Sequence, residues 1–157
     1  MHKIINNTGK INCAVPTIIH LFVFICSLLL LGCHSEHNKT GVEKAMKTYD
    51  RLILKKDADS LAGLFLPDGK LGEMATGRDA IKKFLSSFNN VVVLSQNSLT
   101  RSIEINGDTA TQTGGYTQVD VINNKDTIRV KGDYAIHWQW VKTSGWLISS
   151  ISTTPAN

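Results

Sequence analysis

The type of fold follows from the stretch LTRSIEINGDTATQTGGYTQVDV, residues 99–121. Apolar residues alternate with polar ones up to Ile105, which is the period of a strand with one buried face. Asn106-Gly107 then predicts a tight hairpin turn, because both residues tolerate the positive φ angles that such a turn needs. A second strand is predicted from Thr109 to Val121, and Gly114-Gly115 within it predicts a bulge or sharp bend.

Two more strands are predicted downstream, so the C-terminal half forms a meander. Asn123-Asn124 turns the chain into a long strand from Asp126 to Val141, and a last strand runs from Trp146 to Thr153. The even-numbered residues from Ile128 to Trp140 form a nearly uninterrupted apolar row. Because side chains alternate between the two faces of a strand, this row is predicted to face the core and His137 to face outward.

Upstream of these strands the apolar residues recur with helical spacing. Thr40-Gly41-Val42-Glu43 has the spacing of a capping box and is predicted to start a helix that ends near Lys56. Asp57 is predicted to cap a short second helix, Pro67-Asp68-Gly69 to turn the chain, and Thr76 to cap a third helix. The expected fold class is therefore α+β, with three N-terminal helices packed on a strongly curved antiparallel sheet.

The N-terminal segment has the features of an export signal. Lys3 and Lys10 precede an apolar run from Ile18 to Leu31, which is too short to cross a bilayer as a helix. Leu30-Leu31-Gly32-Cys33 resembles the bacterial lipobox, and this resemblance implies that Cys33 is lipidated and becomes the new N-terminus. The alternative is a general secretory signal that happens to contain a cysteine.

These features divide the chain into three parts. We expect a lipoprotein signal peptide over residues 1–32, a lipidated cysteine with a polar tether over residues 33–39, and one domain over residues 40–157. The expected location is the bacterial cell envelope, with a membrane as partner through the anchor. Because His34 rather than Asp follows the cysteine, the enterobacterial sorting rule favours the outer membrane.

Composition excludes several classes of site in the domain. All cysteines of the chain, Cys13, Cys26 and Cys33, precede it, which excludes a disulfide scaffold, a cysteine zinc site and a cysteine nucleophile. Once Lys3 and Lys10 are taken from the 17 basic residues, the basic residues barely outnumber the 13 acidic ones, so nucleic acid is not an expected partner. No metal ligand cluster or nucleotide-binding motif is visible, and no cofactor is expected.

The order and spacing of several segments resemble the nuclear transport factor 2-like superfamily, and within it a small bacterial branch of unknown function close to the SnoaL-like proteins. The resemblance implies a cone-shaped domain, in which the curved sheet wraps around the first helix and leaves a pocket at its open end. The segments that carry it are Tyr49 to Leu61, Leu64 to Gly69, Gly77 to Ile81, Gly107 to Ala110, Gly132-Asp133-Tyr134, Trp138 and Gly145 to Ile148.

The same resemblance implies two sets of candidate site residues. Ketosteroid isomerases of the superfamily use a tyrosine and two aspartates, and the matching positions are Tyr49, Glu73 and His137. Such a set could carry out proton transfer, with Glu73 as the base and the other two groups donating hydrogen bonds to the enolate. The residues expected to line a ligand pocket are Tyr49, Leu52, Phe65, Phe84 and Tyr116.

Simpler interpretations of the catalytic set stay open. Tyr49 lies on the apolar stripe of the first helix, where a core tyrosine is expected in any case. Glu73 can equally be a solvated charge at the rim of the pocket. His137 falls on the polar side of its strand, which points it away from a pocket inside the cone.

Three functions are compatible with the sequence. The first is binding of a small apolar or amphipathic molecule in the cone, without chemistry. The second is an isomerase, dehydratase or cyclase that transfers a proton through Glu73. The third is a non-catalytic dimerising module of the envelope, and the long apolar row predicts a homodimer formed through the sheet, with Trp140 near the centre of the interface.

Overall fold

The computed structural model describes residues 36–156, so the predicted signal peptide, the lipidation site Cys33 and the first residues of the tether lie outside the described residues. The described part contains three helices and a six-stranded sheet. In chain order the elements are α1 (Lys39–Lys55), α2 (Ala58–Gly63), β1 (Phe65–Leu71), β2 (Ala75–Thr76), α3 (Arg78–Ser86), β3 (Val91–Asn106), β4 (Thr109–Ile122), β5 (Asp126–Val141) and β6 (Gly145–Pro155).

The sheet is mixed, whereas the sequence predicted a purely antiparallel one. Its strand order is β2-β1-β6-β5-β4-β3, and β1 runs parallel to β6 while every other neighbouring pair is antiparallel. The prediction was wrong because it included only the four strands of the C-terminal meander and no strand over Phe65–Leu71, where a turn was expected. In the fold, β6 returns after a long crossover to pair beside β1 in the same direction.

Two local predictions around β1 were also wrong. Pro67-Asp68-Gly69 lies within the strand, where the pairing with β6 shifts between Phe65 and Lys70. The residues that favour a turn thus lie at an irregularity within the strand and do not end it. Helix α3 starts after Gly77, not after a Thr76 cap, and no side chain caps it. Gly77 has a φ of 84°, and its N–H donates to the Gly69 carbonyl at 2.8 Å.

The other helix boundaries agree more closely with the sequence. The predicted end of α1 near Lys56 is confirmed, since Lys56 adopts the left-handed conformation there with a φ of 54°. Asp57 caps α2 as predicted and accepts from the Ser60 N–H at 3.0 Å. The start of α1 was misplaced, because Asn38 and not Thr40 is the cap, with its side chain accepting from Gly41 N–H at 3.0 Å.

The predicted hairpin after Asn106 joins β3 to β4, and Gly107 turns the chain with a φ of 58°. The bend predicted at Gly114-Gly115 corresponds to a bulge whose extra residue, Arg101, lies on the partner strand β3. Strand β3 begins at Val91, before the alternating residues that predicted it. A second register shift, between Val93 and Ser95, interrupts the alternation of faces in this first part of the strand.

The core lies between the helices and the inner face of the sheet. As predicted, even-numbered residues of β5 face it, and Tyr134, Ile136 and Trp138 are buried while His137 is exposed. Trp138 Nε1 donates to the fully buried Gln112 at 3.0 Å, so this polar group is satisfied. All members of the core cluster fall between residues 42 and 151, which gives residues 36–157 a hydrophobic core of their own.

The described part of the predicted tether packs on the domain. We call Glu36–Asn38 the N-terminal strap. His37 stacks on Trp140 with ring centroids 4.8 Å apart, and its Nε2 lies 3.0 Å from the Gly107 carbonyl oxygen. Trp146 Nε1 donates to the Glu36 carbonyl at 3.1 Å. Among residues 36–156, no helix is both long and apolar enough to span a membrane.

Candidate ligand-binding cleft

Two adjacent cavities lie between the helices and the inner face of the sheet. The larger, about 300 Å³, is formed where the C-terminal end of α1 meets the ends of β3, β4 and β5, and we call it the distal cavity. The smaller, about 230 Å³, lies towards β1 and β6 and is called the central cavity. Ile53, Leu85 and Gln118 line both, and we refer to the two together as the cleft.

The distal cavity is apolar over most of its wall. Its mouth carries Phe88 and Ile128, which are 41% and 39% exposed although they are large apolar residues. Strands β4 and β5 are long enough to extend past the end of the helices, so the apolar face of the sheet is left uncovered there. The apolar lining residues are Ile53, Ala58, Leu61, Leu85, Phe88, Val91, Val93, Ile122 and Ile128.

Three polar residues interrupt this apolar wall. Asp120, only 6% exposed, and Gln118 follow each other on the inner face of β4. Gln118 Nε2 donates to both carboxylate oxygens of Asp120, at 2.9 Å each. Lys56, at the end of α1, also lines the cavity, and its ammonium donates to the carbonyls of Phe88 and Val91. The cleft thus combines a hydrocarbon surface with a buried carboxylate.

The central cavity contains phenol, amide and hydroxyl groups. Burial, with a smaller contribution from the neighbouring Asp50, raises the pKa of Tyr49 to about 12, so its phenol keeps its proton at neutral pH. Burial also raises the pKa of Tyr134, whose hydroxyl lies 3.3 Å from Thr100 Oγ1. Both phenols are therefore available as hydrogen-bond donors, and neither is suited to accept a proton.

The structure places three of the five residues predicted to line a ligand pocket at a cavity. Tyr49, Phe84 and Tyr116 line the central cavity. Phe65 and Leu52 do not, because their side chains are almost fully covered, at 0% and 6% exposure, by the packing of the domain. Apolar periodicity indicates that a residue is covered, but it does not distinguish a covered core position from one that faces a cavity.

The structure does not bring the candidate catalytic residues together. Glu73 lies in the turn between β1 and β2 with an exposed side chain. His137 lies on the outer face of the sheet, where its Nδ1 is 3.2 Å from Thr111 Oγ1. Only Tyr49 lines the cleft. Within residues 36–156, no cluster of histidine and carboxylate side chains could hold a metal ion.

The polar residues of the cleft were not indicated by the sequence patterns. Gln118 and Asp120 occupy even-numbered positions of β4, on the same face as Tyr116. Alternation along the second strand could have placed them inside the cone, but a polar residue in such a pattern is normally assigned to the solvent face. Lys56 could not have been identified in this way, since it follows the last helical residue of α1.

Comparison with known proteins identifies the domain type. A family model described as a SnoaL-like domain matches residues 37–152. No curated protein gives a significant match to the chain. The family match covers every residue that lines the two cavities except Thr153.

Solved structures with the same fold have little sequence similarity to this chain. A ketosteroid isomerase-like protein of Erwinia carotovora atroseptica is 14% identical, with a TM-score of 0.66 over 75% of this chain and 95% of its own. An NTF2-like protein with a cystatin-like fold from Novosphingobium aromaticivorans is 16% identical, with a TM-score of 0.64 over 87% and 90%. An NTF2-like protein of Cytophaga hutchinsonii is 18% identical, with a TM-score of 0.62 over 76% and 99%. At these identities the likeness concerns the fold alone.

Proposed function

Because the chain belongs to the family of SnoaL-like domains, we propose that it binds a small apolar or amphipathic molecule in its cleft without chemically changing it. The observation that carries the proposal is the distal cavity, whose wall is apolar except for Lys56, Gln118 and Asp120. Small-molecule sites are typically concave and mostly apolar, with a few polar groups that orient the ligand. A volume of about 300 Å³ lies at the lower end of the range for such sites.

The geometry favours binding over proton transfer by Glu73. A general base must lie within hydrogen-bonding reach of the proton that it removes, directly or through one water. The Glu73 side chain is exposed in the β1–β2 turn, although its neighbours Leu71 and Met74 line the central cavity. His137 lies on the opposite face of the sheet from Tyr49, so the two cannot bind one enolate.

Ligand binding can be tested with the neutral fluorophore N-phenyl-1-naphthylamine and residues 36–157. We expect saturable binding to the native domain, measured as an increase in the fluorescence of the bound fluorophore. Ile128→Arg places a long charged side chain at the mouth of the distal cavity and is expected to weaken binding at least about tenfold, a loss of about 1.4 kcal/mol.

The matched control is Leu99→Arg, which alters an apolar residue that is 70% exposed and does not line the cleft. This variant should bind the fluorophore like the native domain. Absence of saturable binding to the native domain, or equal binding by the two arginine variants, would refute the proposed cleft.

We also propose that the protein is held in the cell envelope by lipid on Cys33, with the outer membrane favoured. Three residues lie between Cys33 and His37, so extended chain spans at most ~14 Å from one to the other and the anchor would hold the domain close to the bilayer. In the full-length protein, Cys33→Ala should move the protein from the membrane to the soluble fraction or leave it unprocessed with its leader. Cys26→Ala, within the apolar run, is the control and should keep a processed, membrane-bound protein.

A further inference from the structure

Asp120 is the least compensated charged group inside the cleft. It is 6% exposed, and Gln118 Nε2 is the one side-chain donor to its carboxylate within residues 36–156. None of the ion pairs in this part of the chain includes it. A carboxylate in apolar surroundings costs free energy unless opposite charge or several hydrogen bonds compensate it.

The half-buried carboxylate of Asp50, which lines neither cavity, is compensated in the usual way. Asp50 accepts from Ser98 N–H at 3.1 Å, from Ser98 Oγ at 2.7 Å and from Gln96 Nε2 at 3.0 Å. These three donors come from β3 and do not depend on any ligand. The fold can therefore supply several donors to a carboxylate at the core, and Asp120 differs from Asp50 because it receives donation from only one group.

An acceptor in the neighbouring cavity has no donor at all. Gln96 lines the central cavity, and its Oε1 is buried without a hydrogen-bond partner in the described part of the chain. The amide orientation is fixed, since Nε2 must face the carboxylate of Asp50. The cleft thus offers Gln96 Oε1, which has no donor, and Asp120, whose carboxylate can accept more hydrogen bonds than Gln118 supplies.

Among residues 36–156, Lys56 forms no ion pair with Asp120, although both line the distal cavity. Its ammonium donates to the carbonyl of Phe88 at 2.8 Å and to that of Val91, which ties the end of α1 to the start of β3. Asp120 is the one acidic residue in the lining of the distal cavity. A cation placed beside Asp120 is attracted by its carboxylate, whereas a negatively charged head group there would be repelled.

We propose that the natural ligand of the cleft is an amphipathic amine, with its ammonium group on Asp120 and its hydrocarbon part along Ile53, Leu85 and Ile128. A primary ammonium carries three donors, enough for the carboxylate and a further acceptor, and its hydrogen bonds to a carboxylate are strengthened by charge. This inference rests on the proposed function, because it names the chemical class of ligand for the same cleft.

Three displacing compounds of equal chain length test it: decylammonium and decanoate below their micelle concentrations, and decanol below its solubility limit. Each is titrated against N-phenyl-1-naphthylamine bound to residues 36–157. We expect decylammonium to displace the fluorophore at a concentration about tenfold or more below that of decanol, with decanoate the weakest. Equal potency of the amine and the alcohol in the native domain would overturn the inference without any variant.

The variant Asp120→Asn then tests whether the preference for the amine depends on this carboxylate. This change keeps the shape and removes the charge, so the advantage of decylammonium over decanol should disappear. Asp133→Asn on the outer face is the matched control and should keep the advantage. An amine preference that survives Asp120→Asn in a folded variant would also overturn the inference.

The two proposals fail in different ways. If the native domain does not bind the fluorophore saturably, the cleft itself is not a binding site and the proposed function fails. If it binds the fluorophore and decanol but does not prefer decylammonium, only the ligand class is wrong. If Asp120→Asn does not fold, the comparison of the three compounds on the native domain still decides the matter.

Discussion

Gly114 shows how a single residue determines the curvature of the sheet at the cleft. A Cβ at this position would overlap the Leu99 carbonyl oxygen and lie 2.5 Å from the Tyr134 hydroxyl. The ring of Tyr134 and the bulge at Arg101 therefore occupy space that any other residue would need. Arg101 in turn donates from Nη2 to the Gly114 carbonyl at 3.1 Å and pairs with Asp133 on the outer face.

We expect Gly114→Ala to lower the free energy of unfolding by about 1–3 kcal/mol, because the added methyl group must displace backbone or the Tyr134 ring. The measurement is urea unfolding of residues 36–157. Gly63→Ala is the control, since a Cβ there would meet nothing within 4 Å and the change should stabilise α2 by about 0.4–1 kcal/mol. Equal stability of the two variants would contradict this account of the bend.

At the scale of an element, the N-terminal strap joins three parts of the fold. His37 is stacked on Trp140 of β5, and its Nε2 lies 3.4 Å from Asp108 in the β3–β4 turn. Asn38 caps α1, and Lys44 on that helix pairs with Glu36 at 2.9 Å. The strap therefore covers an apolar end of the sheet that would otherwise be open to solvent.

His37→Ala is expected to lower the free energy of unfolding by about 0.5–1.5 kcal/mol, the usual contribution of a stacked aromatic pair. The fluorescence of Trp140 should change as well, since its face becomes exposed. His137→Ala, an exposed histidine on the outer face of the same strand, is the control and should change stability by less than about 0.5 kcal/mol. If both variants were equally stable, the strap would not contribute to the packing.

At the scale of the whole molecule, a single chain covers much of the apolar row of β5. Tyr134, Ile136 and Trp138 are covered by the core, Ile128 lines the distal cavity, and Trp140 is half-buried against the strap. Apolar side chains nevertheless stay exposed on β3, with Val92, Leu94 and Leu99 at 44%, 58% and 70%. Exposed apolar area of this kind is often covered by a second subunit.

The homodimer therefore stays a prediction. Light scattering of residues 36–157 at high concentration should give the mass of two chains, and Trp140→Arg should give folded monomers if Trp140 lies at the interface. Because Trp140→Arg also disturbs the strap, His37→Ala serves as control and should remain dimeric. A monomeric native domain would refute the dimer, and a dimeric Trp140→Arg would move the interface elsewhere on the sheet.

Local patterns were enough for the three helices, the four strands after residue 90, the Asn106-Gly107 hairpin, the Asp57 cap and the face of β5 that is buried, because these depend on residues close in sequence. Resemblance supplied the family and, with it, a cleft inside the cone.

The parallel pairing of β1 with β6 could not be foreseen, since it joins segments about eighty residues apart in the chain. The same holds for the cleft, where Asp120 gains its environment from α1, α2 and β5, and where Glu73 and His137 are kept apart by the three-dimensional packing. Whether a polar side chain on a strand is solvated or enclosed depends on what packs against that face, and a single strand carries no record of it.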